Sequence, residues 1–167
     1  MGLQILLAMI IVPVSLGFSK PSEPINARQS YEQALSQERR PYKFGNKAEL
    51  YAHIEHVAKL YNLPSKLLKQ IVAVESANCR YRVNKVSNDY GCFQLNKLTI
   101  AGYKWNANTV THNDRLNTVA AAVILSDMRI IALKTLGPKW PCSYNIGHRS
   151  LPKACAVYLH KLALVSL

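Results

Sequence analysis

The chain has few acidic residues, with nine Asp and Glu against 21 Lys and Arg, so its 167 residues carry a net charge of +12. This excess favours a polyanionic partner, which could be nucleic acid, anionic lipid or an anionic cell-wall polymer. Its seven glycines and eight prolines show no three-residue period, which excludes collagen-like chains. Charged residues make up 18% and apolar residues 49%, which excludes an intrinsically disordered chain. A globular domain of ordinary size remains.

The sequence also lacks an uncharged apolar run of about 20 residues, the length that a membrane-spanning helix requires. Its longest such stretch, Leu3–Phe18, is shorter, is interrupted by Pro13 and ends in the small residues that signal peptidase recognises, Ser15 and Gly17. We therefore predict a signal peptide at residues 1–17, with an uncleaved anchor or a buried first helix as alternatives. The predicted location is the periplasm or the extracellular space, or the membrane surface if the signal is retained.

No CxxC or CxxH spacing occurs, which argues against a zinc site, and we predict no metal and no cofactor. The four cysteines are Cys79, Cys92, Cys142 and Cys155, an even number that suits disulfides in an exported chain. Three pairings are possible. We favour Cys79 with Cys92 and Cys142 with Cys155, which closes two intervals of equal length. Buried free thiols are the alternative.

Three parts are predicted along the chain, beginning with the signal peptide. Residues 18–46 are polar, contain three prolines and are typical of a linker or a loosely packed arm, with a short helix at Ser30–Arg40. The compact domain covers residues 47–167. It begins after Asn46, a residue suited to capping the helix that KAELYAHIEHVAKLY predicts.

The domain is predicted to be mainly α-helical. Apolar periodicity indicates three further helices, at Pro64–Glu75, Asn117–Leu136 and about Leu151–Leu164. Asp114, in the polar segment before the longest of them, is suited to capping it. The irregular stretch 78–113 could hold short strands and a small β-hairpin.

Glu75 ends the apolar stripe of the second predicted helix, where a carboxylate is unusual. Burial would raise the pKa of this carboxyl because it disfavours the charged form. A glutamate that stays protonated near neutral pH can give a proton to a leaving oxygen. The alternative is a frayed helix end, with Glu75 exposed or paired with Arg80 or Arg82.

Short motifs occur along the chain from Glu75 onward. They are Glu75-Ser76, Ser87, Gly91-Cys92-Phe93-Gln94 and Tyr144-Asn145-Ile146-Gly147. Their order and spacing resemble the lytic transglycosylase (SLT) domain. In that family a Glu-Ser pair ends a helix, a serine precedes a Gly-x-x-Gln segment, and Tyr-Asn-x-Gly follows a long helix. The resemblance covers about residues 47–160. It departs from the family at Cys92-Phe93, where a hydrophobic pair is usual.

The resemblance implies a lysozyme-like helical fold that cleaves peptidoglycan between N-acetylmuramic acid and N-acetylglucosamine. One glutamate, here Glu75, would act first as general acid and then as base while the muramoyl 6-hydroxyl closes on C1. The product is a 1,6-anhydro sugar, and the substrate's acetamido group assists. By the same resemblance, the substrate-binding residues are Ser76, Ser87, Gln94, Tyr144 and Asn145. The partners would be peptidoglycan glycan strands, acted on by a monomer that serves a secretion, conjugation or phage lysis machine.

Other functions stay open at this point. If Asp89 were a second catalytic acid, the protein would be a lysozyme-type hydrolase; as a turn residue in SNDYG it would have no such role. A non-catalytic wall-binding accessory protein could share the fold. A nucleic-acid-binding module could use the positive charge and the nine tyrosines, but the predicted export argues against it.

Overall fold

The computed structural model of the protein describes residues 27–146 and 152–167, with Ile146 described by its backbone alone. These residues form a mainly helical fold with one small antiparallel sheet, which confirms the predicted class and the short strands. The predicted signal peptide, the first part of the predicted arm and Gly147 lie outside the described residues.

Eight α-helices and one 3₁₀ helix occur in the described ranges. They are α1 (Ala27–Gln37), α2 (Lys47–Leu60), α3 (Ser65–Ser76), α4 (Lys97–Gly102), α5 (Ala107–His112), α6 (Asp114–Leu136), the 3₁₀ helix (Gly137–Cys142), α7 (Ser143–Ile146) and α8 (Pro152–Ala163). The strands β1 (Val83–Asn84), β2 (Asp89–Tyr90) and β3 (Leu95–Asn96) form a sheet in that order. Helices α4 and α5 lie in the stretch 78–113, which is interpreted as irregular from the sequence. The sequence does not predict them, because six residues are too few for apolar periodicity to show.

Helix α2 begins where the sequence predicts, since the Asn46 side chain accepts a hydrogen bond from the Glu49 amide at 2.9 Å. Helix α6 differs at its start. Asn113 caps it through the Leu116 amide, at 3.1 Å. Asp114, the predicted cap, is buried and accepts two hydrogen bonds from the Arg82 guanidinium, at 2.9 and 2.7 Å. A buried carboxylate is stabilised by a paired cation, which explains why Asp114 binds Arg82 while Asn113 caps the helix.

Helix α6 is the centre of the core, and α1, α2, α5 and α7 pack on it. Residues Asp114–Asn145 are long and apolar enough to cross a membrane by length and composition alone. However, 61% of their most apolar window is buried inside the fold, as in the central helix of a globular protein. Apolar contact with the neighbouring helices therefore explains the hydropathy of this segment.

The described part of the predicted arm is packed, not loose. Leu35 of α1 is fully buried, and its carbonyl accepts a hydrogen bond from the Asn106 amide at 3.0 Å. Further on, the Tyr42 carbonyl accepts from the Asp114 amide at 2.8 Å. Residues 27–46 are thus not a loose arm. Helix α1 and the segment that follows it cover α5 and the start of α6. The domain boundaries themselves stay predictions.

Both predicted disulfides are present, Cys79–Cys92 and Cys142–Cys155, and all four cysteines are buried. The first lies beside a tight turn at Gly91, whose φ is +78°. The buried Asn117 amide holds this turn by accepting from the Phe93 amide at 2.7 Å and donating to the Tyr90 carbonyl at 3.2 Å. A Cβ added at Gly91 would overlap that Asn117 side chain.

We expect Gly91→Ala to lower the free energy of unfolding by about 3 kcal/mol, because a left-handed backbone and an overpacked contact both disfavour alanine there. Urea denaturation monitored by circular dichroism measures the change. Gly102→Ala is the matched control, since a Cβ there meets no atom within 4 Å. Equal stability of the two variants would contradict this account of Gly91.

Candidate functional site

Glu75 lies half-buried in the last turn of α3 (Ser65–Ser76). The hydroxyl of Tyr158, a buried residue of α8, donates a hydrogen bond to its Oε1 at 2.8 Å. Among residues 27–146 and 152–167, no Lys or Arg forms an ion pair with Glu75. Arg82, one of the two cations offered as its partner, binds Asp114 instead. The alternative of an exposed or Arg82-paired helix end therefore does not hold.

The surroundings of Glu75 raise the pKa of its carboxyl. Burial is the largest cause, and the hydrogen bond from Tyr158 opposes it by stabilising the carboxylate. The negative charge of Asp89 raises this pKa further, whereas the positive charge of Lys161 lowers it. The net effect favours the protonated form, which is the form that can donate a proton.

Two tyrosines border the carboxyl. Besides Tyr158, the half-buried Tyr144 of α7 donates its hydroxyl proton to the Phe93 carbonyl at 2.6 Å. Burial, together with the charges of Glu75 and Asp89, raises the pKa of Tyr144 well above its usual value. Burial and Glu75 likewise raise the pKa of Tyr158. Both hydroxyls are therefore protonated donors at neutral pH.

Ser76 and Gln94 direct their polar groups into the protein's own backbone. Ser76 is buried, and its hydroxyl donates to the Val72 carbonyl at 3.1 Å and accepts from the Cys79 amide at 2.9 Å. The half-buried Gln94 donates its side-chain NH₂ to the Gly91 carbonyl at 2.8 Å. These contacts give both residues structural roles, closing α3 and the turn at Gly91.

The structure does not join the remaining predicted binding residues to Glu75. Ser87 is exposed in the turn between β1 and β2, and Asn145 is exposed in α7. No hydrogen bond within the described ranges links either side chain to the carboxyl. Of the predicted set, Tyr144 is the residue whose side chain interacts electrostatically with Glu75.

Asp89 lies half-buried on strand β2, just after the turn in which one of its two interpretations placed it. It faces Asn84 and Asn96 across the sheet, and the Asn96 side chain donates to its Oδ1 at 2.9 Å. Its charge acts on both Glu75 and Tyr144. Asp89 is thus an acceptor on a strand beside the candidate site.

Sequence reasoning missed Tyr158, the residue that binds Glu75. A signal was available, because Tyr158 shares the apolar face of the last helix with Cys155 and Leu162, and a buried tyrosine hydroxyl needs a partner. The sequence does not indicate which of the many polar groups that partner is.

The described residues contain one group of side chains close enough to hold a metal ion, Cys79, Cys92 and Asp114. Its two sulfurs are bonded to each other and its carboxylate is bound to Arg82, so no ligand is free.

Comparison of the chain with protein-family models, with curated proteins and with solved structures finds no match. The lysozyme-like arrangement and membership of the lytic transglycosylase family therefore stay predictions that depend on the motifs around Glu75.

Proposed function

We propose that the protein is a peptidoglycan lytic transglycosylase, which cleaves the bond between N-acetylmuramic acid and N-acetylglucosamine and leaves 1,6-anhydro-muramic ends. The observation that carries this proposal is the environment of Glu75. Its carboxyl is half-buried, contacts a tyrosine hydroxyl instead of a cation, and has a raised pKa. Such a group is suited to donate a proton at neutral pH.

In this mechanism protonated Glu75 gives its proton to the glycosidic oxygen as the bond from that oxygen to C1 breaks. The resulting carboxylate then takes the proton of the muramoyl 6-hydroxyl while O6 bonds to C1. The acid is restored and no water is consumed. Tyr158 stabilises the carboxylate between the two steps by its hydrogen bond, and Lys161 does so by its charge.

Two further features support the proposal. The net charge of +12 suits an anionic wall polymer. The two buried disulfides are compatible with an exported protein that works in the periplasm or outside the cell. We infer that the protein opens the wall for a secretion, conjugation or phage lysis machine that must pass through it.

Mass spectrometry of muropeptides released from purified peptidoglycan by the oxidised protein tests the proposal. We expect ends carrying 1,6-anhydro-muramic acid. Reducing ends that have gained a water would overturn the transglycosylase and favour a hydrolase. No release by a folded, oxidised sample would favour a non-catalytic wall-binding protein.

A second candidate is the lysozyme-type hydrolase with Glu75 and Asp89 as its two carboxylates. The observation in its favour is that the charge of Asp89 acts on Glu75. In the transglycosylase, Asp89 tunes the acid and takes no covalent or proton-transfer role.

We therefore expect Asp89→Asn to keep its activity within a factor of about three and to move the alkaline limb of the pH profile to lower pH, because the charge that raises the pKa of Glu75 is gone. Turnover of peptidoglycan across pH 4–9 measures both effects. Asp127→Asn, an exposed carboxylate bound by Tyr103, is the control. A loss comparable to that of a Glu75 variant would identify the hydrolase.

A further inference from the structure

The two disulfides lie at the candidate site. Cys79 follows Glu75 closely in the chain, and its partner Cys92 immediately precedes Phe93, whose carbonyl binds Tyr144. The bridge Cys79–Cys92 thus connects the end of α3, which carries the carboxyl, to the turn that carries the tyrosine's acceptor.

The second bridge does the same for the two tyrosines. Cys142 lies just before Tyr144, and Cys155 lies one helical turn before Tyr158 in α8. The bridge therefore connects the start of α7, which carries Tyr144, to α8, which carries Tyr158.

Each bridge thus defines one half of the candidate site. The first half carries Glu75 and Phe93, the second carries Tyr144 and Tyr158, and hydrogen bonds join the two halves. Tyr158 in the second half donates to Glu75 in the first at 2.8 Å. Tyr144 in the second half donates to the Phe93 carbonyl in the first at 2.6 Å. Each disulfide fixes the spacing of two groups within one half, so both hydrogen bonds form together only when both spacings are correct.

The backbone after Glu75 also needs such a restraint. Ala77, Asn78 and Cys79 have φ values of 50°, 58° and 68° in succession. The left-handed region is unfavourable for residues with a Cβ, so such a run persists only where the surroundings hold it. Both restraints act on Cys79, the last residue of this run: its amide donates to the Ser76 hydroxyl at 2.9 Å, and its sulfur is bonded to Cys92.

We propose that the two disulfides are positioning elements of this site: Cys79–Cys92 sets Glu75 against the Gly91 turn, Cys142–Cys155 sets Tyr144 against Tyr158, and breaking either one disassembles the site while the helical fold persists. A chain of this length has a core large enough to fold without disulfides. The effect of breaking a bridge on peptidoglycan turnover rests on the proposed function, whereas its effect on the pKa of Glu75 does not.

Oxidation of the four cysteines is then an activating step. Each bridge forms when two cysteine thiols give up two electrons and two protons to a disulfide donor, which becomes a dithiol by thiol–disulfide exchange. The reduced chain would then be folded but inactive in a reducing compartment, and the oxidised chain would be active outside it. Once formed, the bridges persist because all four sulfurs are buried.

Two double variants each remove one bridge and so mimic its reduction. They are Cys79→Ala/Cys92→Ala and Cys142→Ala/Cys155→Ala. Because the two cysteines of each bridge are 13 positions apart in the chain, the two variants lose a similar chain-entropy contribution to stability. Circular dichroism establishes the temperature at which both are folded, and carbon-13 NMR of the carboxyl group gives the pKa of Glu75 without any substrate.

For Cys79→Ala/Cys92→Ala we expect the pKa of Glu75 to fall to the range of an ordinary glutamate and peptidoglycan turnover to fall at least about tenfold. For Cys142→Ala/Cys155→Ala we expect a similar loss of turnover. In that background Tyr158→Phe no longer changes the pKa of Glu75, because the hydroxyl does not meet the carboxylate.

Leu35→Ala is the control, since it removes buried volume from α1, which packs on α5 and α6, and leaves both bridges intact. It is expected to be destabilised with the pKa of Glu75 unchanged. A folded bridge variant with an unchanged pKa of Glu75 and unchanged turnover would overturn the inference.

Should the alanine pair at residues 79 and 92 fail to fold, Cys79→Ala/Cys92→Val restores buried volume without the covalent bond. Failure of that variant as well would assign the bridge to the fold as a whole and also overturn the inference. A wild-type protein that releases no muropeptide, but whose Glu75 responds to the bridges as described, would refute the proposed function alone.

Discussion

Glu75→Gln is expected to reduce peptidoglycan lysis by about a thousandfold, because glutamine has no proton to give to the glycosidic oxygen. The amide retains the shape of the carboxyl and can still accept the hydrogen bond from Tyr158. Substrate binding should therefore remain, and the loss should fall on kcat rather than on KM. Release of 1,6-anhydro muropeptides over time, at several substrate concentrations, measures both constants.

The same substitution should leave the protein as stable as the wild type or more stable. Burial raises the pKa of Glu75, so the folded state binds its proton more tightly than the unfolded state does. This contribution to stability is fully present below the pKa of the unfolded chain and is lost as the pH rises through the raised pKa of the folded state. A neutral glutamine does not lose it, so the advantage of the variant in urea denaturation should grow from pH 4 to pH 8.

Glu55→Gln is the matched control, because Glu55 is an exposed helical glutamate that pairs with Lys69 and is not among the groups that act on Glu75. It should keep full activity. If Glu75→Gln retained more than about a tenth of wild-type turnover in a folded sample, Glu75 could not be the general acid.

The helices that the sequence predicts well are those whose signals are local. Asn46 is followed by a run with helical apolar spacing, and the observed α2 starts there through the cap of the Glu49 amide. The Ala-rich stretch before Gly137 likewise predicts α6 to its last residue. Capping and periodicity depend on neighbours in the chain, so a single sequence contains them.

Features that depend on distant partners were harder to predict. Asp114 follows a cap residue and resembles one, but its position in the fold was decided by Arg82, 32 residues earlier. Leu35 is one apolar residue in a polar segment, and its burial depends on the covering of α5 by α1. Neither outcome is encoded in the spacing of nearby residues.

The candidate site likewise has one feature that local sequence predicts and others that depend on distant partners. A carboxylate at the end of an apolar stripe is visible in the sequence, and Glu75 is indeed half-buried. The tyrosine that contacts it comes from α8, 83 residues later. Ser76 and Gln94 match the family pattern by residue type, but their side chains bind backbone groups of this chain, which only the tertiary structure reveals.

Tyr158→Phe is expected to have the second largest effect among single substitutions at the site. The hydroxyl stabilises the charged form of Glu75, so its removal should raise the pKa of that carboxyl further. The alkaline limb of the pH profile should therefore move to higher pH. Maximal turnover should fall by roughly tenfold, because the carboxylate formed after the first proton transfer loses its donor.

Tyr61→Phe provides the comparison, because Tyr61 is also a buried tyrosine whose hydroxyl donates to a glutamate, Glu32, at 3.1 Å. It loses the same atom and the same type of bond at a distance from Glu75, so any general effect of a missing hydroxyl appears in both variants. Turnover across pH 4–9 separates them. A fall in rate for Tyr158→Phe with an unmoved alkaline limb would mean that the hydroxyl supports packing alone. A fall in rate together with a shifted limb would mean that α8 controls the proton affinity of Glu75.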